Sequence, residues 1–334
     1  MITACLICSS GNARDAENPE VSARPGRLVR LHDGRRINLR CSGAGAPTVI
    51  FEGGWASTSL AWNGVRARVS AHHRACAYDR AGSGFSDSGP EPRDGAAIAR
   101  DLDEALRAGR IRGPFILVGH SAGGLYIRLF ADRRWSDVAG FVFVDPSVEF
   151  QDRRFAEAFG PGAGSVAGLR LRTENCLAAA EAGALPSSDP KLSACVPSPN
   201  PSLPPSVNAA RLAEARRPST WRAQLSELDA LWTTTSDEIA NGRGSYDHRP
   251  MIVLTADGAP QASTHDDRRS ASRNFWISLH RELAARSGLG VETVVERSGH
   301  LMMNDRPDTI VAAIETVAGQ ARAKVSRRRD GTRK

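Results

Sequence analysis

Apolar and polar positions follow two periods along this chain, and the periods divide it into strands and helices. Residues 27–31 and 37–41 alternate with period two, joined by His32-Asp33-Gly34-Arg35-Arg36, where Asp-Gly reads as a hairpin turn. Residues 48–51 (TVIF) predict a third strand that runs into Gly53-Gly54. Residues 74–78 (RACAY) predict a fourth, ahead of the glycine-rich loop DRAGSGFSD. Residues 115–118 (FILV) and 140–144 (GFVFV) are continuous apolar runs, suited to a sheet buried on both faces. Residues 251–255 (MIVLT) and 292–295 add two more strands. Helical spacing marks residues 62–69, 96–106, 125–131, 275–285 and 309–317.

This alternation of strand and helix predicts an α/β fold with a doubly wound, mostly parallel sheet. It is interrupted once. Residues 147–249 hold no clear apolar strand; they include the Pro/Ser-rich run 197–206 and a helical stripe of Trp221, Leu225, Leu228 and Trp232. The expected organisation is a core of residues 27–146 and 250–320 with a helical cap insertion at 147–249. The insertion leaves from the C-terminal end of a strand, the edge at which such sheets bind ligands, and this favours a cap over a remote helical decoration.

Charge changes the picture less than its total suggests. The net charge is +7, but seven basic residues and one acid lie between Arg322 and Lys334. The body is therefore close to neutral, which argues against nucleic acid as a partner, and residues 321–334 read as a disordered basic tail. No apolar run approaches the roughly 18 residues of a transmembrane segment. Residues 1–26 read as a leader. Ile2-Thr3-Ala4-Cys5 looks like a lipobox and Gly11-Asn12-Ala13 like a cleavage site, each with the wrong length of sequence before it. The compartment is cytoplasmic as the chain stands, or periplasmic or secreted if this segment is a clipped signal. Cys176 and Cys195 would close a loop whose disulfide is worth about 3 kcal/mol in an oxidising compartment. Cys41 and Cys76, inside two predicted strands, read as buried free thiols. No cysteine spacing suggests a metal site.

Gly119-His120-Ser121-Ala122-Gly123 fits G-x-S-x-G, follows the strand FILV directly and opens a helix. In that context Ser121 sits on a sharp strand-to-helix turn, with glycines letting neighbouring backbone approach. A hydroxyl nucleophile needs a base. His300, a short step beyond a predicted strand (VVERSGH), meets the order Ser, acid, His. His120 adjoins the nucleophile but points away from it; it, His32, His72, His73, His248 and His265 read as surface residues. Asp145 and Asp257 both end strands beside the site and are both admissible acids, with Asp266 and Asp267 as outside candidates. The amide of Ala122 is one oxyanion donor, and the other is expected from the loop Gly53-Gly54-Trp55.

With these residues in view, the chain resembles the α/β-hydrolase superfamily, in particular its capped esterase-like members. The resemblance runs from about Thr48 to Val317 and is densest at FEGGW, YDRAGSGFSD, LVGHSAGG, FVDPS and SGHLMMNDRP. It implies an eight-stranded sheet with the cap between the sixth and seventh strands. It also implies Ser121 as nucleophile, His300 as base, and the amides of Trp55 and Ala122 as the oxyanion hole. Two departures stand out. Gly53-Gly54 replaces the usual His-Gly, and Ala259 occupies the usual place of the acid, with Asp257 arriving early. That shifts the choice of acid to Asp145, with Asp257 as the alternative. In such a sheet the second and fourth strands are neighbours, which brings a Cys41–Cys76 disulfide within reach.

The expected function is a serine hydrolase cleaving a small apolar carboxylic ester through an acyl-enzyme, with no metal or organic cofactor. Epoxide hydrolase and haloalkane dehalogenase chemistry on this fold uses an aspartate nucleophile, so Ser121 argues against both. Peptidase, thioesterase, carbon–carbon hydrolase and perhydrolase chemistry also fit a serine. A non-catalytic hydrolase-like binding protein is the alternative from another class. Trp221, Leu228, Trp232, Met302 and Met303 suggest an apolar pocket, although core packing explains the same residues.

Overall fold

The computed structural model describes residues 19–258 and 267–331. Eight strands form one sheet: β1 (Arg27–Arg30), β2 (Arg36–Ser42), β3 (Thr48–Glu52), β4 (Ala75–Tyr78), β5 (Phe115–His120), β6 (Val138–Val144), β7 (Met251–Ala256) and β8 (Gly290–Val295). Their order is β1-β2-β4-β3-β5-β6-β7-β8. Of the pairs they form, only β1–β2 and β2–β4 are antiparallel. Helices α1 (Asn63–Val69), α2 (Gly95–Ala108) and α3 (Gly123–Arg133) connect the strands up to β6. Between β6 and β7 come α4 (Gln151–Phe159), α5 (Ala167–Glu181), α6 (Pro205–Ala215), α7 (Pro218–Leu231) and α8 (Thr234–Ala240). Then α9 (Asp267–Ala284) joins β7 to β8, and α10 (Met302–Asp305) and α11 (Pro307–Gly331) follow β8.

The central strands are apolar throughout because both of their faces are covered. Val49 and Phe51 of β3, Ile116 and Val118 of β5, and Val142 and Val144 of β6 pack with Val65 and Val69 of α1 and Ile310, Ile314 and Val317 of α11. The alternate residues Ile50, Phe115, Leu117, Phe141 and Phe143 turn to the opposite face, against Leu102 and Leu106 of α2 and Leu125 and Phe130 of α3. Each fully buried side chain of this size contributes about 2 kcal/mol relative to exposure, so a one-residue register slip would reverse every pairing. Leu228, Leu231 and Trp232, at the end of α7, belong to the second of these clusters. The inserted helices are therefore anchored to the core at that point.

Three sequence expectations need correction. Cys41 and Cys76 are not free thiols. They face each other across the antiparallel β2–β4 pair, with Cα atoms 4.1 Å apart, and are disulfide-bonded. A directly opposed pair of this kind brings the two Cβ atoms together. The second disulfide, Cys176–Cys195, ties α5 to a short 3-10 turn (Pro190–Cys195) and is buried with Ala179, Ala180 and Leu185. Next, the expected leader is part of the body from residue 19 on. Pro19–Ala23 forms a 3-10 turn, and the buried Arg40 finds acceptors there in the carbonyls of Val21 and Ser22. The remaining leader signals, including Cys5, lie outside the described residues. Last, α11 runs to Gly331, into the segment expected to be a disordered tail. Arg, Lys and Ala are good helix formers. Among the described residues no helix is long and apolar enough to cross a membrane.

Candidate active site

The site is built at the C-terminal ends of β3, β5, β6 and β8. Beyond β5 the chain must reverse into α3 within two residues, and Ser121 absorbs the turn with φ of 51° in the left-handed region. A serine there is strained. Its backbone is held on both sides: the Ser121 amide donates to the Val144 carbonyl at 3.2 Å, and the Ser121 carbonyl accepts from the Ser147 and Gly124 amides at 2.9 Å. Gly123 is obligatory, since a Cβ at this position would meet the carbonyl oxygens of Glu52 and Gly53 at 2.6 and 2.7 Å. Gly54 likewise lies against Ser121, with room for a Cβ only 3.0 Å from the serine Cβ.

Asp145 ends β6 in a second left-handed turn, with φ of 42°. Its Oδ2 lies 2.6 Å from His300 Nδ1, while its Oδ1 accepts from Trp276 Nε1 at 2.9 Å and from the Ala256 amide at 3.1 Å. Burial alone would push this carboxyl up. The hydrogen bond and charge of His300, with help from Trp276, outweigh that and hold it below the usual aspartate value. The other aspartate, Asp257, points elsewhere, with its carboxylate paired to Arg273 of α9. Asp266 lies outside the described residues, as does the side chain of Asp267.

His300 stands in the loop after β8, its side chain 53% exposed against 6% for Asp145. Its backbone is fixed by a histidine that sequence reasoning assigned to the surface. His120 is buried, and its Nε2 donates to the His300 carbonyl at 2.8 Å. The two rings lie 4.6 Å apart. Burial, then the neighbouring His300, pull the His120 pKa down to about 4, so the ring is neutral. His120 is buried because it ends the central strand β5, covered on both faces. His73 is also buried rather than exposed, with Nε2 3.1 Å from Glu315. His32 is exposed beside Glu104, and His265 lies outside the described residues. One further histidine has a supporting place: buried His280 of α9 donates from Nε2 to the Pro146 carbonyl at 2.8 Å, holding the turn after Asp145.

Opposite this wall, residues 53–55 follow β3. Trp55 donates its indole N–H to the Gln224 carbonyl of α7 at 2.8 Å. A cavity of about 720 Å³ opens between the two walls. Ser121, Asp145, His300, Trp55 and Ala122 all border it, and its sides are apolar: Phe155, Leu169, Leu228, Leu231, Trp232 and Met303. Trp221 and Met302 do not line it. Trp221 packs against the Cys176–Cys195 cluster, and Met302 is buried in the core. Among the described residues no group of three or more His, Cys, Asp or Glu side chains is placed to hold a metal ion.

Residues 49–313 match the model of the alpha/beta hydrolase family. The chain belongs to this family. Among solved structures, a protein assigned as an epoxide hydrolase from Pseudomonas aeruginosa superposes with TM-score 0.61 at 19% identity. That match covers 89% of this chain and 96% of the other. An esterase (EaEST) from Exiguobacterium antarcticum gives TM-score 0.59 at 16% identity, covering 87% and 99%. At such identities the likeness shows the fold. In sequence, the probable transporter efuK of Hormonema carpetanum is 37% identical over 123 residues, which are 34% of this chain and 18% of that protein. The chain spans less than half the length of the curated relatives it matches.

Within this family frame, the departure at Gly53-Gly54 has a physical counterpart. Arg80, two residues beyond β4, is buried, and its guanidinium donates to the Gly53 carbonyl at 2.9 Å and to the Gly54 carbonyl at 2.8 Å. The loop is thus held from beneath by a cation. In the sequence Arg80 is one letter of DRAGSGFSD, with no local pattern to mark this role.

Proposed function

We propose that this chain is a serine hydrolase that cleaves carboxylic esters through an acyl-enzyme. The observation that carries the reading is the 2.6 Å contact of Asp145 with His300 Nδ1, bordering the same cavity as a serine on a left-handed turn. With Nδ1 donating to the carboxylate, Nε2 is the basic nitrogen available to a hydroxyl. Ser121 Oγ attacks the ester carbonyl as Nε2 takes its proton. The imidazolium, stabilised by Asp145, then protonates the leaving alkoxide. Water enters by the same route and releases the acid. The amides of Trp55 and Ala122 receive the oxyanion in both halves of the reaction.

The inserted helices act as the cap in this reading. They supply Leu228, Leu231 and Trp232 to a pocket whose lining, among the described residues, holds no Lys, Arg or Glu, which favours uncharged, apolar esters. Two disulfides favour an oxidising compartment. A serine nucleophile excludes the ester intermediate on aspartate that epoxide opening would use. The test is covalent labelling with a fluorophosphonate, alongside turnover of a p-nitrophenyl ester chain-length series. We expect stoichiometric labelling of the wild type, none of Ser121→Ala, and best turnover with short to medium uncharged acyl groups. Equal labelling of Ser121→Ala would remove Ser121 from the mechanism. Turnover of thioesters or peptides in preference to esters would move the substrate class.

A further inference from the structure

Arg80 uses all five of its N–H groups. Nε and Nη2 form a bidentate pair with Glu227 of α7, both at 3.0 Å. Nη1 reaches Glu52 at 2.8 Å and the Gly53 carbonyl at 2.9 Å, and the second hydrogen of Nη2 reaches the Gly54 carbonyl at 2.8 Å. Five donors in a rigid planar fork fix five acceptors relative to one another, which no lysine can do. Two of those acceptors are the carbonyls of consecutive peptides in the donor loop. A trans peptide is planar, with its C=O and N–H pointing opposite ways. With the Gly54 C=O drawn to Arg80, and capped also by the Ser57 amide at 3.1 Å, the Trp55 N–H on the same plane is turned away from the guanidinium; Gly54 and Trp55 both border the cavity, where Gly54 lies against Ser121.

We infer that Arg80 is a positioning residue. It aims the Trp55 amide at the oxyanion and, through Glu227, makes that aim depend on the seating of cap helix α7. This rests on the proposed serine-hydrolase reading, in which Trp55 supplies an oxyanion donor. A second link runs the same way, since the Trp55 indole donates to Gln224 one turn earlier on α7. The cap and the donor loop are therefore joined at both ends of the Trp55 residue, by its preceding carbonyl and by its side chain.

The test uses Arg80→Lys and Glu227→Gln in the full chain, with fluorophosphonate stoichiometry as the measure of folded, competent sites. Arg80→Lys keeps the charge but cannot span the two carbonyls, and Glu227→Gln leaves Arg80 in place while loosening its tie to the cap. Loss of one oxyanion donor typically costs about 10²–10³-fold in turnover. We expect kcat for a p-nitrophenyl ester to fall about a hundredfold in Arg80→Lys and about tenfold in Glu227→Gln, with KM within a few-fold of wild type. Affinity for an alkyl boronic acid, whose serine adduct mimics the tetrahedral intermediate, should fall in parallel with kcat. Affinity for an uncharged, non-hydrolysable ether analogue should stay unchanged. Wild-type kcat in Arg80→Lys, or equal losses of boronate and ether affinity, would overturn the inference while leaving the serine mechanism standing. A wild type that neither labels nor turns over would overturn the mechanism itself and the inference with it.

Discussion

The wall that carries Asp145 and His300 and the wall that carries residues 53–55 border the same cavity, yet they are held by different means. On the first, the proton-transfer wall of the proposed mechanism, the backbone is strained at Ser121 and Asp145, and the carboxylate is satisfied by single hydrogen bonds from an indole, an amide and an imidazole. Among the described residues no cation joins them. On the second, the donor wall of that mechanism, one buried guanidinium binds two carboxylates and two carbonyls. The difference follows from the tasks in the proposed mechanism. A proton must leave Ser121 and return, so a fixed positive charge beside His300 would oppose formation of the imidazolium. The donors, in contrast, must stay where the oxyanion will form, and a multivalent clamp serves that need.

The largest effect should come from breaking the proton-transfer wall at its acid. Asp145→Asn is expected to lower kcat for a p-nitrophenyl ester by about 10⁴-fold, as for the equivalent change in a serine triad. Asp257→Asn should stay within a few-fold of wild type, because Asp257 is turned to Arg273. Steady-state kinetics of the two variants settles the assignment. A severe loss in Asp257→Asn with a mild one in Asp145→Asn would reverse it.

The two walls also differ in how far the chain announced them. The strands were legible because residues such as Phe115, Leu117 and Val118 need cover on both faces. The turn at Ser121 was legible because its five letters directly follow the strand FILV and open a helix. Asp145 and Asp257 were hard to separate, because both end adjacent strands. What separates them is long-range: Trp276 and the Ala256 amide converge on one, and Arg273 captures the other. Arg80 was not legible at all, since Glu227 lies 147 residues away and no local pattern joins them. The disulfide between Cys41 and Cys76 depended on strand order rather than on spacing, so composition alone read it as two thiols.

Acidity should separate the walls by sign. His120, on the proton-transfer side, has its pKa pulled from 6.5 to about 4. Its stabilising effect is complete above pH 6.5 and is lost as pH falls toward 4, a difference of about 3 kcal/mol for a shift of this size. Glu52, on the donor side, is pushed from 4.5 up to about 7 by burial, against the pull of Arg80. Its effect is complete below pH 4.5 and is lost as pH rises through 7. Urea unfolding as a function of pH should show His120→Gln flattening the acid limb and Glu52→Gln flattening the decline toward pH 7. Unaltered slopes in both variants would mean that neither wall carries the pH dependence of stability.

The finest comparison sets one hydrogen bond on the first wall against the clamp on the second. Trp276→Phe keeps a ring in the aromatic cluster with Phe155 while removing the Nε1–H that Asp145 accepts at 2.9 Å. A hydrogen bond to a charged group is worth about 1.5–3 kcal/mol, and the Ala256 amide remains to share the carboxylate. The Asp145 pKa should therefore rise, and kcat/KM should fall about tenfold, with the acid limb of the pH–rate profile displaced upward. Because a tenfold loss equals about 1.4 kcal/mol, this is less than the hundredfold expected for Arg80→Lys. A wall of separate bonds loses one increment when one is removed, whereas a clamp loses the alignment of every group it holds. If Trp276→Phe cost as much as Arg80→Lys, the acid would have to be held as cooperatively as the donor loop, and the distinction between the walls would fail.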